Sequence, residues 1–152
     1  MANMKSKVSD KKELLEAFRE KCRRNNVSLT PQRVAIYSIL TESYNHPAAE
    51  EIFDRVKETF PDISIDTVYR TLGIFSQMGI IDVVEGYGEA KRYDTDVLPH
   101  HHFRCKRCNA IVDFQEKSYD KLKAPAVIRR KYRVESIKVV VEGLCDKCAR
   151  ER

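Results

Sequence analysis

Residues 94–113 read DTDVLPHHHFRCKRCNAIVD. Within these twenty positions stand three of the chain's four histidines, three aspartates and two cysteines spaced C-x2-C. A second C-x2-C, Cys145 and Cys148, lies near the end of the chain. Two kinds of site are interleaved here, one of sulfur and one of nitrogen and oxygen.

The sulfur set is the more specific. A C-x2-C turn offers two thiolates to one ion, and paired knuckles supply the four tetrahedral ligands zinc prefers. Asn109, which tolerates tight turns, follows the knuckle of Cys105 and Cys108, and Gly143 precedes that of Cys145 and Cys148. Four thiolates leave zinc no open position, so such a site is structural. The competing reading is two unrelated buried or redox-active pairs. In the other set, His100 and His102 are two apart and share a face if the segment is a strand. Asp94 lies upstream and Asp113 downstream. Taken singly each reads as a solvated side chain; clustered, they suit Fe, Mn, Zn or Ni.

The remainder sets bounds. A chain of 152 residues with 42% hydrophobic content makes one large domain or two small ones. No run of about eighteen apolar residues spans a membrane and no signal-type apolar segment follows the start, so the five cysteines point to metal in a reducing cytoplasm rather than to disulfides. The net charge of +5 is unevenly placed. Residues 1–33 carry nine Lys/Arg against four Asp/Glu, residues 34–95 five against eleven, and residues 96–152 fourteen against eight. The basic N-terminal stretch is the local candidate for nucleic acid, although such a face is more often simply solvated.

Upstream of the metal-rich stretch the pattern is helical. The first nine residues are polar and expected to fray. Asp10 with Glu13 resembles a capping box, opening a helix with Leu14, Leu15, Phe18 and Cys22 on one face. Cys22, on that stripe, reads as core rather than ligand. Thr30-Pro31 starts a second helix carrying Val34, Ile36, Tyr37, Ile39 and Leu40. His46 precedes Pro47 and is expected to be extended, and alone it reads as a turn residue. A third helix from about Ala48 buries Ile52, Phe53 and Val56, and Pro61 lies past its end. Ser64 caps a fourth, running to Gly79, with Ile65, Val68, Leu72 and Phe75 inward. Thr67, Tyr69 and Arg70 lie on its other faces, where they suit phosphate and base-edge contact in a major groove, or a solvated face with Tyr69 half-packed. Residues 80–93 switch period and read as a β-hairpin turning at Gly86–Glu89. Helices followed by a hairpin make a winged helix with the fourth helix as reader.

Downstream, Ala110–Phe114 reads as a strand, Lys117 to about Arg130 as a helix interrupted at Pro125, and Tyr132–Gly143 as a strand. A three-stranded sheet with one helix is small and needs a metal and a partner subunit.

With LTPQR (residues 29–33), TVYRTL (67–72), HHHFRCKRC (100–108) and IVDF (111–114) in view, the chain resembles the ferric uptake regulator superfamily of metalloregulators from about Leu14 to Cys148. The resemblance implies an α+β protein. A winged-helix DNA-binding domain spans residues 1–93, a hinge about 94–99, and a small α/β dimerisation and metal-binding domain 100–152 with structural Zn2+ on Cys105, Cys108, Cys145 and Cys148. It implies a homodimeric repressor of AT-rich inverted repeats in double-stranded DNA, with no membrane partner. The ligand register is similar to the peroxide-sensing (PerR) branch. There the His of the H-P turn, an Asp ending the wing, two His one residue apart and the Asp of IVDF hold the regulatory Fe2+ or Mn2+. Here these are His46, Asp94, His100, His102 and Asp113, with His102 three residues before Cys105 as the branch requires. The iron-uptake branch usually has Glu at the wing position and a further site using a later histidine, and this chain has no histidine after His102. His101 is a departure, since peroxide sensors commonly lack a histidine there. The branch implies that iron-dependent oxidation falls on His46 or His100. The alternative is an occupancy sensor of iron, zinc or manganese, like Fur, Zur or Mur. A metalloenzyme would need a general base or nucleophile that the sequence does not offer.

Overall fold

The computed structural model describes residues 11–43, 45–84 and 90–151. The N-cap expected at Asp10 and the hairpin turn at Gly86–Glu89 lie outside the described residues. The chain divides after Val97 into two compact units.

The first unit contains α1 (Lys11–Arg24), α2 (Pro31–Glu42), α3 (Ala49–Lys57), α4 (Ile65–Gln77) and the antiparallel pair β1 (Asp82–Val84) and β2 (Arg92–Asp94). Local chemistry sets several of these boundaries. The Thr30 hydroxyl accepts from the Arg33 N–H with Pro31 at the first helical position, and the Ser64 hydroxyl accepts from the Thr67 N–H. Helix α1 ends with Asn26 at φ 54° and α4 with Gly79 at φ 65°. At both ends the same two bonds close the last turn: Val27 N–H to Cys22 O and Asn26 N–H to Arg23 O, then Ile80 N–H to Phe75 O and Gly79 N–H to Ser76 O.

Phe18, Cys22, Ile36, Tyr37, Leu40, Ile52, Val56, Val68, Leu72 and Phe75 form one core, as the helical stripes require. Phe53 and Ile65 are only half-buried. Tyr37 stacks on Phe18 at 4.1 Å between centroids, and Phe75 meets Phe18 edge-on at 5.2 Å. Phe75→Ala leaves a ring-sized void among fully buried neighbours. It is expected to destabilise this unit by about 3–5 kcal/mol, read as a lower urea midpoint without loss of helix content in the native baseline. The expected hairpin is shorter than its apolar run. Ile80 and Ile81 are buried in the core before β1 begins instead of pairing as strand.

The second unit contains β3 (His101–Cys105), β4 (Ile111–Phe114), α5 (Ala126–Lys131), β5 (Val140–Gly143) and α6 (Asp146–Arg150). Its sheet runs β4-β3-β5, with β4 antiparallel and β5 parallel to β3. Two expectations are corrected. The helix expected over 117–130 is only the six residues Ala126–Lys131, because Pro125 lacks a donor and steers Ala124 away from helical backbone. The strand expected over Tyr132–Gly143 is confined to Val140–Gly143, the part that reaches β3. A β-branched run forms a ladder only where a strand lies beside it. Among the described residues of this unit there are two short helices, α5 and α6, where one was expected. Every member of the apolar core cluster precedes Asp94, whereas the buried side chains described in the second unit are His101, Cys105 and Cys148. None of the described helices is long and apolar enough to cross a membrane.

Candidate metal centres and DNA-reading face

Strand β3 carries Cys105 at its end, the turn through Asn109 (φ 59°) returns the chain into β4, and β5 delivers Cys145 as the N-cap of α6. The four sulfurs of Cys105, Cys108, Cys145 and Cys148 lie within 4.8 Å of one another, with Cys108 and Cys145 at 3.7 Å. The Cys145 N–H donates to Cys105 Sγ at 3.3 Å and the Cys148 N–H to Cys145 Sγ at 3.5 Å. The backbone N–H of Cys108, then that of Cys145, draws the Cys105 thiol down from 9.0 to about 6. Burial, then the neighbouring sulfurs, pushes Cys148 up to about 12. One sulfur ionises readily because backbone N–H groups stabilise its thiolate, while another resists because it is buried; bringing all four to the thiolate would add mutual repulsion. A dication removes that repulsion, so the donor set fits a closed, tetrahedral metal site of the zinc kind.

The histidine–carboxylate residues form a group in each unit. In the first, His46 Nε2 lies 3.1 Å from Asp94 Oδ2, while the other Asp94 oxygen accepts from the Asp96 N–H at 2.8 Å. His46 is not extended as expected before proline. Its φ is 50°, in the left-handed region. The Arg92 guanidinium reaches this turn, where Nε donates to the His46 carbonyl and Nη2 to the Asn45 carbonyl. In the second unit, His102 and Asp113 are register partners across β3 and β4. His100 Nε2 and His102 Nε2 are 2.9 Å apart, and Asp113 Oδ1 is 3.7 Å from the first and 3.5 Å from the second. His100 Nδ1 lies 2.7 Å from the Leu98 carbonyl. A donor at Nδ1 leaves Nε2 with its lone pair, which is how a ligating imidazole is normally oriented. Two imidazole nitrogens and a carboxylate oxygen converging this closely favour a cation between them.

His101 points the other way, as strand alternation requires. It is buried against Phe114 and Tyr119, with Nε2 3.2 Å from Asp120 Oδ1. Neither this partner nor Arg92 stands out in the sequence as a site residue. The alternation of a strand, which sets Arg92 two residues from Asp94, was the available signal for Arg92.

On α4, Thr67 is half-buried, its hydroxyl 2.9 Å from the Ser64 hydroxyl, while Tyr69 and Arg70 are exposed. Thr67 therefore belongs to the cap first. The Tyr69 hydroxyl donates to the Glu50 carboxylate, which raises the tyrosine pKa and lowers that of the glutamate. Glu50 opens α3, so this bond ties the two helices of the helix-turn-helix together at their exposed edge.

A reader-helix unit and a metal-holding unit in one chain define a metal-responsive transcription regulator. Residues 24–142 match the ferric uptake regulator family, and the chain belongs to that family. The peroxide-responsive repressor PerR of Staphylococcus saprophyticus is 34% identical over 126 residues, covering 83% of this chain and 85% of that protein. Among solved structures, the Helicobacter pylori ferric uptake regulator, described with three functional metal binding sites, has a TM-score of 0.74 at 24% identity, covering 91% of this chain and 93% of that one. A zinc uptake regulator complexed with zinc and DNA has a TM-score of 0.72 at 22% identity, covering 93% and 96%. At those identities the likeness is one of fold, with its N-terminal winged helix and its dimerisation domain. The protein is a metal-dependent transcriptional repressor and not an enzyme.

Proposed function

We propose that this repressor responds to peroxide. The observation that carries the proposal is the ligand chemistry. It consists of His46 with Asp94 in the first unit, and of His100, His102 and Asp113 in the second, their nitrogens and carboxylates already paired. Such a nitrogen–oxygen set suits Fe2+ or Mn2+ better than the thiolate cluster does. The likeness to PerR and the aspartate, rather than glutamate, at Asp94 point the same way. The four cysteines hold structural Zn2+ in this reading.

The residues then divide the work. An ion taking donors from both groups limits the freedom of the two units, and its higher affinity for the DNA-competent arrangement shifts the population toward it. Tyr69 and Arg70, with Thr67 at the helix start, contact an AT-rich inverted repeat. A homodimer sets the two α4 helices in major grooves about one or more helical turns apart. Exposed apolar side chains of the second unit, among them Val127, Ile128, Tyr132 and Val134, supply a face for the second copy. The cytoplasm provides both the DNA and the reducing conditions the thiolates need.

Fe2+, when bound, supplies the electron that activates hydrogen peroxide. The imidazoles of His46 and His100 would be the side chains oxidised, hydrogen peroxide serving overall as the two-electron oxidant that gives one oxygen to the ring and leaves the other as water. An oxidised imidazole is a poor ligand, so the histidine–carboxylate set loses its ion and the protein leaves DNA.

The test loads the zinc-containing protein with Fe2+ or with Mn2+, adds low peroxide, and follows operator binding together with peptide mass. Loss of DNA binding with Fe2+ alone, with oxygen on the His46 or His100 peptide, is the expected result. Unchanged histidines and binding that tracks free metal concentration would make the protein an occupancy sensor of iron, zinc or manganese.

A further inference from the structure

We infer that Arg92 is a positioning residue for the His46 ligand: its guanidinium holds the Asn45–His46 turn in the left-handed backbone that aims the imidazole at Asp94. The inference rests on the reading of His46 as a ligand. His46 has φ 50° and is neither glycine nor asparagine, and Pro47 follows it. A residue before proline is pushed toward extended backbone, so a non-glycine residue held in the left-handed region there persists only where surrounding contacts over-determine it.

Strand β2 supplies those contacts from three consecutive residues. Arg92 Nε donates to the His46 carbonyl and Arg92 Nη2 to the Asn45 carbonyl at 2.6 Å, so one planar fork grips two successive peptide groups. The Tyr93 N–H donates to the Pro47 carbonyl at 3.1 Å. Asp94 Oδ2 meets His46 Nε2 at 3.1 Å. Ala48 forms a β-bridge with Arg92, which fixes the far side of the turn. Arg92 and Asp94 are two apart on a strand and project to one face. The turn's backbone and its imidazole are thus held by alternate residues of the same strand.

Charge alone predicts the opposite behaviour. A guanidinium near a cation site repels the cation, so a purely electrostatic Arg92 would weaken metal binding, and its removal would strengthen it. Positioning predicts that removal weakens binding. Lysine keeps the charge but has no planar fork for two carbonyls, so R92K separates the two roles.

The experiment uses the full-length, zinc-containing protein with Mn2+ as the probe, which binds without the oxidation chemistry of iron. Mn2+ affinity is measured by calorimetry for wild type, R92A, R92K, H46A and H46A/R92A. Amide exchange at Tyr93 is followed in protein given no Mn2+, and zinc content and melting temperature report the fold. R92A is expected to bind Mn2+ about 10–100-fold more weakly, and R92K to fall between R92A and wild type. H46A/R92A is expected to be no weaker than H46A, because Arg92 acts through His46. Tyr93 exchange should quicken in R92A. Wild-type or tighter Mn2+ binding by R92A, or an equal further loss on the H46A background, overturns the inference while leaving the ligand reading in place. Unchanged Mn2+ affinity in H46A overturns the ligand reading and the inference with it.

Discussion

Cys105→Ser is expected to unfold the unit that begins at Leu98. Zinc content falls by one equivalent, the dimer dissociates in sedimentation, and the β signal in far-UV circular dichroism is lost while the helices of the first unit remain. The reason lies in what this unit buries. The apolar cluster of the protein ends at Tyr93, and Cys105 is the fully buried residue at the end of the central strand β3. Its sulfur accepts from the Cys145 N–H, which is how β5 and α6 are drawn to the knuckle between β3 and β4. A sheet of three short strands and two helices of five and six residues has too little apolar area to offset its ordering entropy. In small metal-clipped units the free energy of metal binding is the free energy of folding. Stripping zinc from the wild-type protein with a strong chelator should give the same spectrum, and readdition should reverse it. A Cys105→Ser protein that keeps its sheet and its dimer would show that the thiolates do not hold this unit together.

His46→Ala is expected to lower metal-dependent operator affinity by about 100-fold, the upper range of ordinary coupling between two sites. Zinc content and melting temperature should stay near wild type. His46 lies in the reader unit, and its imidazole is the partner of Asp94 at the end of the wing strand. Truncating it leaves Asp94 as the remaining donor of the first unit beside the three of the second, so Mn2+ still binds but with little difference in affinity between DNA-competent and incompetent states. Binding without differential affinity shifts no population. Direct Mn2+ titration beside operator titration separates the two effects. Metal-dependent DNA binding that survives His46→Ala would remove the clamp from the mechanism.

The legibility of these features in sequence follows from their range. The cap of α2 was legible because Thr30 and Pro31 act on their own helix, and the end of α4 because Gly79 accepts the left-handed conformation there. Cys22 was legible as core because its spacing from Phe18 is that of one helix face. Helix α5 was misjudged because the breaking effect of Pro125 outweighed a permissive composition, and the strand before Val140 because strand formation depends on a neighbour the local sequence does not name. The pre-proline rule failed at His46 because a side chain 46 residues away grips its carbonyl.

Sequence alone determined the kinds of chemistry this protein carries: four cysteines in two knuckles, a second set of imidazoles and carboxylates, and a capped helix with Tyr69 and Arg70 on its outer faces. These are properties of residue type and short spacing, and a chain carries them before it folds. Tertiary structure decided the geometry. It paired Asp94 with His46 through the grip of Arg92, turned His101 inward to Asp120 while His100 and His102 met Asp113, and tied Tyr69 to Glu50. Each of those pairings joins residues far apart in the chain, and only the packing of the helices and the register of the strands brings them within hydrogen-bonding distance.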